Sequence, residues 1–298
     1  MCIDCDEGVT RRAFLSGATV AAVGIALGSE ARGQKQSGDA AKALHDPQII
    51  QEAVTFKNGA ETIKGYLARP KAAGRRRAHF IIHGNPGIPE DIRNTAAQVA
   101  QAGYVGLALD WNSRVAGDDT KKIEHPVEFY RSNTFARQET GDILAGIDYL
   151  KAHPFVIPGG VGLVGFCGGG RICLVLATQS RDVIGVISFY GPVLYGRFKH
   201  ATDPPPDVMD VVKEIRVPVQ GHYGLDDPVA PAADARLFEQ ALRAQKTPVE
   251  MFYYEGAGHA FYDYTRLASE QRGKGFGYNE AAARLAHSRM LKFLKRFK

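Results

Sequence analysis

Short apolar runs alternate with amphipathic segments along the chain from about Glu52 onward. Glu52–Phe56 and Thr62–Ala68 flank Asn58-Gly59, a residue pair typical of a hairpin turn between two strands. Further apolar runs of strand length predict strands over Ala78–Ile82, Tyr104–Leu109, Val161–Val164, Val183–Phe189, Val217–His222 and Val249–Tyr254.

Between most of these strands, apolar residues recur at helical spacing. Pro89–Ala102 has a proline near its start and places Ile92, Ala96 and Val99 on one face. The other predicted helices are Phe135–His153, Arg171–Ser180, Pro231–Ala244 and Ala281–Phe297. Asp110–Thr134 shows neither period, and long loops of this kind often cover a site. The alternation predicts an α/β fold with a mostly parallel central sheet and helices on both faces.

Length and composition favour one globular domain. The chain has 298 residues, is 45% hydrophobic and shows no internal repeat, so we predict a single α/β domain over residues 48–298. The net charge of +5 is mild, and the basic residues are scattered apart from Arg75–Arg77 and Lys292–Lys298. Such a distribution is typical of solvated surface, so we predict no nucleic-acid partner.

The N-terminus is typical of a targeting segment. Thr10–Leu15, TRRAFL, resembles a twin-arginine export signal, and an uncharged run from Ala13 to Ser29 follows it. We predict a signal peptide over residues 1–31, cleaved after Ala31, and a loose polar linker over residues 32–47. The signal implies the twin-arginine export machinery as a partner and a periplasmic or secreted location. A retained membrane anchor is the alternative, although the uncharged run is short for a span.

The most informative stretch is Val161–Gly170, VGLVGFCGGG. It reads as a buried strand, a sharp turn and the start of a helix, and its G-x-C-x-G is the cysteine form of the nucleophile elbow. Glycines let strand and helix approach closely around a strained nucleophile, and the helix N-terminus favours a thiolate at Cys167. The structural alternative is a small buried cysteine in a glycine-rich turn.

Other chemistry is not indicated by the remaining motifs. Cys2-x-x-Cys5 lacks a second ligand pair, so we predict no metal. The glycines match neither a phosphate-binding nor a dinucleotide-binding pattern, so we predict no cofactor. Redox pairing of Cys167 with Cys173 is disfavoured because six residues of helix hold them apart.

A cysteine nucleophile requires a base and a group that orients the base, and the chain supplies both after later strands. His259, in Gly256-Ala257-Gly258-His259, follows the last predicted strand and is the expected base. Asp226 and Asp227 follow the strand before it. We choose Asp227, since Pro228 holds the preceding residue extended, and Asp226 remains the alternative.

An oxyanion hole needs two backbone N–H donors. The residue after the nucleophile, Gly168, is one candidate. The other is expected from the loop His83–Gly87, where Pro86 has no N–H and Asn85 is the best candidate.

The chain resembles the dienelactone hydrolase (carboxymethylenebutenolidase) family of the α/β-hydrolase fold. The matching segments, spread over roughly residues 52–296, are Pro86–Trp111, Gly162–Gly170, Gly224–Pro231 and Tyr254–Phe261. The resemblance implies cofactor-free hydrolysis of a small ester or lactone through an acyl-thioenzyme, with Cys167, Asp227 and His259 as the triad.

Two positions depart from the family pattern. Family members often carry a glutamate just after the third strand and an arginine shortly after the histidine, and here these positions hold Gly84 and the Tyr262-Asp263 region. A neutral ester is therefore as suitable a substrate as dienelactone. A general carboxylesterase or thioesterase and a catalytically idle binding protein remain the alternatives. Trp111, Tyr190, Phe261 and Tyr262 are candidates to line the pocket or to belong to the core.

Overall fold

A computed structural model describes residues 41–84, 88–114, 132–194, 205–266 and 274–297. Within them, eight strands form one sheet in the order β1-β2-β4-β3-β5-β6-β7-β8. The strands are β1 (Ile49–Asn58), β2 (Glu61–Pro70), β3 (Ala78–Ile82), β4 (Val105–Leu109), β5 (Val161–Phe166), β6 (Val183–Phe189), β7 (Val219–Gly224) and β8 (Val249–Tyr254).

The sheet is parallel except at one edge. β1 and β2 form an antiparallel hairpin that pairs from Ile49–Pro70 to Asn58–Glu61, and β2 also runs antiparallel to β4. Every pair from β4 through β3, β5, β6 and β7 to β8 is parallel. The hairpin strands are longer than predicted because their partly exposed ends lack a clear apolar alternation but still pair along their full length.

The described α-helices are α1 (Glu90–Gln101), α2 (Asn133–Ala152), α3 (Gly168–Gln179), α4 (Val208–Val211), α5 (Ala232–Ala244) and α6 (Glu280–Leu294). Their places match the predicted helices, apart from the short α4, and most bounds agree within two residues. One exception is α3, which begins at Gly168 rather than Arg171 since the chain enters the helix directly from the turn at Cys167. The other is α6, which ends at Leu294 rather than Phe297. The predicted last helix ends in a 3-10 turn over Lys295–Phe297.

Apolar side chains cover both faces of the sheet. Because successive strand residues point to opposite faces, Phe80 and Leu163 join one core while Ile81 and Val164 join the other. α2 and α3 pack on the first face, and α1 and α6 pack on the second. The α/β-hydrolase fold class predicted from the sequence is thereby confirmed.

The predicted signal segment, residues 1–31, lies outside the described residues, as does most of the expected linker. The described part of that linker contacts the rest of the domain. Lys42–His45 forms a 3-10 helix with Ala43 buried, and Gln101 of α1 donates a hydrogen bond to Asp46 at 2.7 Å. None of the helices that the structure describes is long and apolar enough to cross a membrane.

Candidate active site

The turn after β5 presents Cys167 at the carboxyl edge of the sheet. Cys167 adopts φ 53° and ψ −123°, a conformation that side chains rarely adopt. The turn closes so tightly that a Cβ atom on Gly165 would lie 2.4 Å from the carbonyl oxygen of Gly169. The backbone N–H of Cys167 donates to the Phe189 carbonyl at 3.0 Å, which ties the turn to β6. The sequence-predicted elbow geometry is therefore present.

His259 lies beside the sulfur, in the loop after β8. Its Nε2 is 3.1 Å from Sγ of Cys167, and its side chain is almost completely buried. A neighbouring segment holds its backbone on both sides, since the His259 N–H donates to Gly275 at 2.6 Å and the Gly277 N–H donates to His259 at 3.0 Å. The imidazole is thus fixed at the sulfur by the packing of two chain segments.

Asp227 is the aspartate that contacts the imidazole. Nδ1 of His259 donates to Oδ2 of Asp227 at 2.8 Å, while Oδ1 accepts from the backbone N–H groups of Val229 at 2.7 Å and Ala230 at 2.8 Å. Asp226 is exposed. Asp227 therefore fixes which nitrogen of His259 carries hydrogen and leaves Nε2 for the sulfur.

The charge state of His259 follows from its two neighbours. Burial on its own lowers the pKa of an imidazole, but the charges of Asp227 and Cys167 and their hydrogen bonds raise the pKa of His259 well above its ordinary value. The arrangement therefore supports an imidazolium beside a thiolate, in which the sulfur is poised to attack.

Of the two expected oxyanion donors, only Gly168 lies among the described residues. Gly168 is the first residue of α3 and directly follows Cys167, so its N–H lies at the helix N-terminus. Asn85 lies outside the described residues.

Gly84 sits against the elbow. A Cβ atom at this position would lie 2.8 Å from Cβ of Cys167 and 3.1 Å from the Phe166 carbonyl oxygen. Real Cβ atoms essentially never come so close to other atoms, so the backbone here is packed for glycine. A glutamate at this position would require the turn to move.

The four candidate aromatic residues divide between pocket and core. Tyr190 lines the cleft, with its ring edge-on to His259 at a centroid distance of 5.1 Å. Trp111 stacks on His83 at 5.4 Å. Phe261 is fully buried in the core, and Tyr262 packs on Phe166 at 5.6 Å.

Two carboxylates and an arginine complete the described cleft wall, and only Asp263 was named in the sequence, as part of the region that departs from the family pattern. Asp263 accepts hydrogen bonds from Thr265 and from Nε of Arg266, the latter at 2.8 Å. Asp91, in the first turn of α1, lines the same cleft. Burial, followed by the negative charge of Asp263, raises the pKa of Asp91 to about 8. An acidic residue in the first turn of a helix is ordinary, so the sequence carried no signal for this role.

The described cleft beside the sulfur is narrow, with about 20 Å³ of space, roughly the room of one water molecule. A wider groove of about 180 Å³ adjoins it and shares Asp91 with it. The groove is lined by aromatic and imidazole side chains, among them Tyr262, Tyr264, Tyr278 and His287. Among the residues that the structure describes, no three His, Cys, Asp or Glu side chains are grouped so as to hold a metal ion.

Known proteins resemble this chain over most of its length. Residues 63–298 match the model of the dienelactone hydrolase family. An inferred carboxymethylenebutenolidase of Synechocystis sp. is 32% identical over 213 residues, which cover 70% of this chain and 85% of that protein. A probable 2-oxo-3-(5-oxofuran-2-ylidene)propanoate lactonase of Bradyrhizobium sp. is 28% identical and covers 83% of this chain and 94% of its own. An inferred dienelactone hydrolase from Klebsiella pneumoniae has a similar crystal structure, with a TM-score of 0.68, 25% identity and coverage of 82% and 97%.

Proposed function

This chain belongs to the dienelactone hydrolase family and is an ester-hydrolysing enzyme, and we propose that it cleaves a small ester or lactone through a Cys167–His259–Asp227 triad. The observation that carries the proposal is the continuous set of contacts from Asp227 through His259 to the sulfur, at 2.8 and 3.1 Å. Cys167 lies in a strained turn at the start of a helix, the position that presents a nucleophile to the substrate in enzymes of this type.

In the first half-reaction, the thiolate of Cys167, whose proton is already held on His259 Nε2, attacks the carbonyl carbon of the substrate. The resulting oxyanion accepts a hydrogen bond from the backbone N–H of Gly168 and, in this proposal, a second one from the backbone N–H of Asn85. When the tetrahedral intermediate collapses, the C–O bond breaks and the leaving alkoxide takes the proton from His259. The acyl group stays on sulfur as a thioester.

In the second half-reaction, His259 takes a proton from water, and the hydroxide formed attacks the thioester carbonyl. The C–S bond then breaks, the acid leaves, and the thiolate is restored beside the protonated His259. Asp227 keeps the imidazole in one orientation and stabilises the imidazolium in both halves. No step requires a cofactor.

Nucleophile substitution tests the proposal. A dienelactone-type lactone and a short activated aryl ester are offered to the wild type, to Cys167→Ala and to the matched control Cys173→Ala. We expect turnover of at least one compound by the wild type and the control, and a loss of at least about a thousandfold in Cys167→Ala. Equal rates for the wild type and Cys167→Ala would contradict the triad and favour a catalytically idle binding protein.

We further propose that the enzyme acts after export, on the strength of the Arg11-Arg12 motif and the uncharged run after it. Replacing both arginines with lysine is expected to move the protein from the periplasmic or secreted fraction to the cytoplasm and to leave its N-terminus uncleaved. Unchanged fractionation and an unchanged N-terminal mass would contradict export by this route.

A further inference from the structure

The wall of the Cys167 cleft carries two carboxylates that differ in their surroundings. Asp263 is surrounded by donors, since Oδ1 accepts from the Thr265 backbone at 3.0 Å and from its hydroxyl at 2.6 Å, and Oδ2 accepts from Nε of Arg266 at 2.8 Å. Arg266 therefore forms an ion pair with Asp263 at 2.8 Å.

Asp91 receives weaker support, from its own backbone N–H and that of Ile92. Its Oδ1 is inaccessible to solvent and has no hydrogen-bond partner among the described residues. A buried carboxylate oxygen without a donor is costly, and the nearby negative charge of Asp263 increases that cost. The backbone N–H of Ile92 and the charge of Arg266 act in the opposite direction but more weakly. Asp91 therefore carries its proton at neutral pH.

We propose that Asp91 is a specificity-determining residue of the Cys167 cleft: its carboxyl group, packed beside the Asp263–Arg266 ion pair, hydrogen-bonds an uncharged oxygen of the substrate and excludes substrates with a second carboxylate beside the scissile ester. This inference rests on the ester-cleaving role proposed for Cys167. It narrows the substrate class to uncharged small esters or lactones.

The charges around the cleft support this selectivity. The Asp263–Arg266 pair sums to zero, as does an imidazolium–thiolate pair at His259 and Cys167. A neutral Asp91 adds no charge but supplies an O–H donor, whereas a carboxylate brought by a substrate would lie near Asp263 without an unmatched cation in the described wall. Like charges at short range in a partly enclosed cleft repel each other.

Other groups surround Asp91 and bear on its titration. They are Glu90 on α1, Tyr190 after β6, Tyr264 in the loop after β8, and Tyr278, Arg284 and His287 at the adjoining groove. Burial raises the pKa of Tyr190, and burial lowers that of His287, so both are neutral near pH 7. Glu90 accepts a hydrogen bond from the Tyr264 hydroxyl at 3.2 Å. Asp91 is thus the group expected to change charge near pH 8.

Two alkylating reagents test the inference without requiring turnover. Neutral iodoacetamide and anionic iodoacetate both modify Cys167, and peptide mass spectrometry separates its rate from those of the other cysteines. The ratio of the two rate constants is measured from pH 6 to 9.5 and divided by the same ratio for free cysteine. We expect the wild type to prefer the neutral reagent roughly tenfold more than free cysteine does, with the preference widening above pH 8.

Three variants show which side chain causes the preference for the neutral reagent. Asp91→Asn keeps an uncharged donor, so the preference should remain at pH 7 but should not widen above pH 8. Asp263→Asn leaves Arg266 unbalanced, so the preference should fall by roughly tenfold. Asp226→Asn removes an exposed carboxylate and serves as the control, with a change below about twofold.

A wild-type ratio equal to that of free cysteine would overturn the inference, as would the same widening above pH 8 in Asp91→Asn. Hydrolysis of 3-acetoxybenzoate and of its methyl ester then separates the two proposals. If the reagent ratios behave as expected but neither ester is hydrolysed, the ester-cleaving role fails while the charge selectivity of the cleft stands. If both esters are hydrolysed equally well through Cys167, the triad stands and the selectivity fails.

Discussion

Asp227 holds His259 with one carboxylate oxygen and its own loop with the other. Oδ2 accepts from the imidazole at 2.8 Å, and Oδ1 accepts from the N–H groups of Val229 and Ala230. The orientation of the imidazole and the shape of the loop therefore depend on a single buried side chain. Removing the charge but keeping the shape separates these two roles.

We expect Asp227→Asn to lower kcat for the preferred ester by roughly 10⁴-fold, because the amide favours the wrong tautomer of His259. Thermal unfolding should change less than in Asp227→Ala, which leaves two backbone N–H groups unpaired. Steady-state kinetics and calorimetry provide the measurements. The neighbouring Asp226→Asn is the control, and a comparable loss there would assign the role of triad acid to Asp226.

The raised pKa of His259 predicts a reactive sulfur below neutral pH. A thiol with an ordinary pKa near 8.5 is only about 1% thiolate at pH 6.5. We expect iodoacetamide to modify Cys167 at pH 6.5 ten- to a hundredfold faster in the wild type than in His259→Gln, because the variant loses the imidazolium that stabilises the thiolate. His45→Gln is the control, and equal rates in the wild type and His259→Gln would show that His259 does not activate the sulfur.

The partly buried Asp91 predicts a specific dependence of stability on pH. The folded protein keeps the proton up to about pH 8, whereas the unfolded chain releases it near 3.9. Between these values the folded state binds more protons, so the free energy of unfolding falls as pH rises. We expect the melting temperature of the wild type, relative to Asp91→Asn, to fall by several degrees from pH 4.5 to 8 and then to level off. A difference that does not vary with pH would show that Asp91 is ionised throughout.

The close packing of Gly84 predicts that even one methyl group is harmful there. We expect Gly84→Ala to lower the free energy of unfolding by about 1–3 kcal/mol and to reduce kcat, because its Cβ would displace Cys167. Gly141→Ala, inside α2, is the matched control. Its Cβ would meet only the side-chain amide of Asn58 at 3.2 Å, and alanine is the better helix former. Chemical denaturation and ester hydrolysis measure both effects, and an unaltered Gly84→Ala enzyme would contradict the tight contact.

Much of the fold could be predicted because its signals are local. The apolar runs at Ala78–Ile82, Val183–Phe189 and Val249–Tyr254 have the same bounds in the structure. The hairpin strands were harder to bound, since their exposed ends are held by pairing with each other rather than by burial. The helix α3 starts earlier than predicted because consecutive glycines are poor helix formers. In the structure, a Cβ atom on Gly169 would lie 2.3 Å from the Ile82 carbonyl oxygen, and one on Gly170 would lie 2.7 Å from the Ser188 hydroxyl.

The sequence indicates some of the candidate site residues more clearly than others. Cys167 and His259 stand in glycine-rich turns after strands, and these turns are visible in the sequence. Asp226 and Asp227 are adjacent, and only the path of the loop turns Asp227 towards the imidazole. Nothing in the sequence indicated the raised pKa of Asp91. The negative charge that contributes to it belongs to Asp263, which is remote in the chain and comes near Asp91 only after folding.

The sequence by itself determined the order of strands and helices, the place of the elbow and the identity of the family, since each depends on residue types at short spacing. The tertiary structure alone decided which aspartate contacts His259, that Gly84 has no room for a side chain, and that burial and the charge of Asp263 raise the pKa of Asp91. The physical reason is the range of the forces involved. Strand and helix periods are written into neighbouring residues, whereas a pKa or a steric limit depends on burial and on charges that distant segments bring into contact.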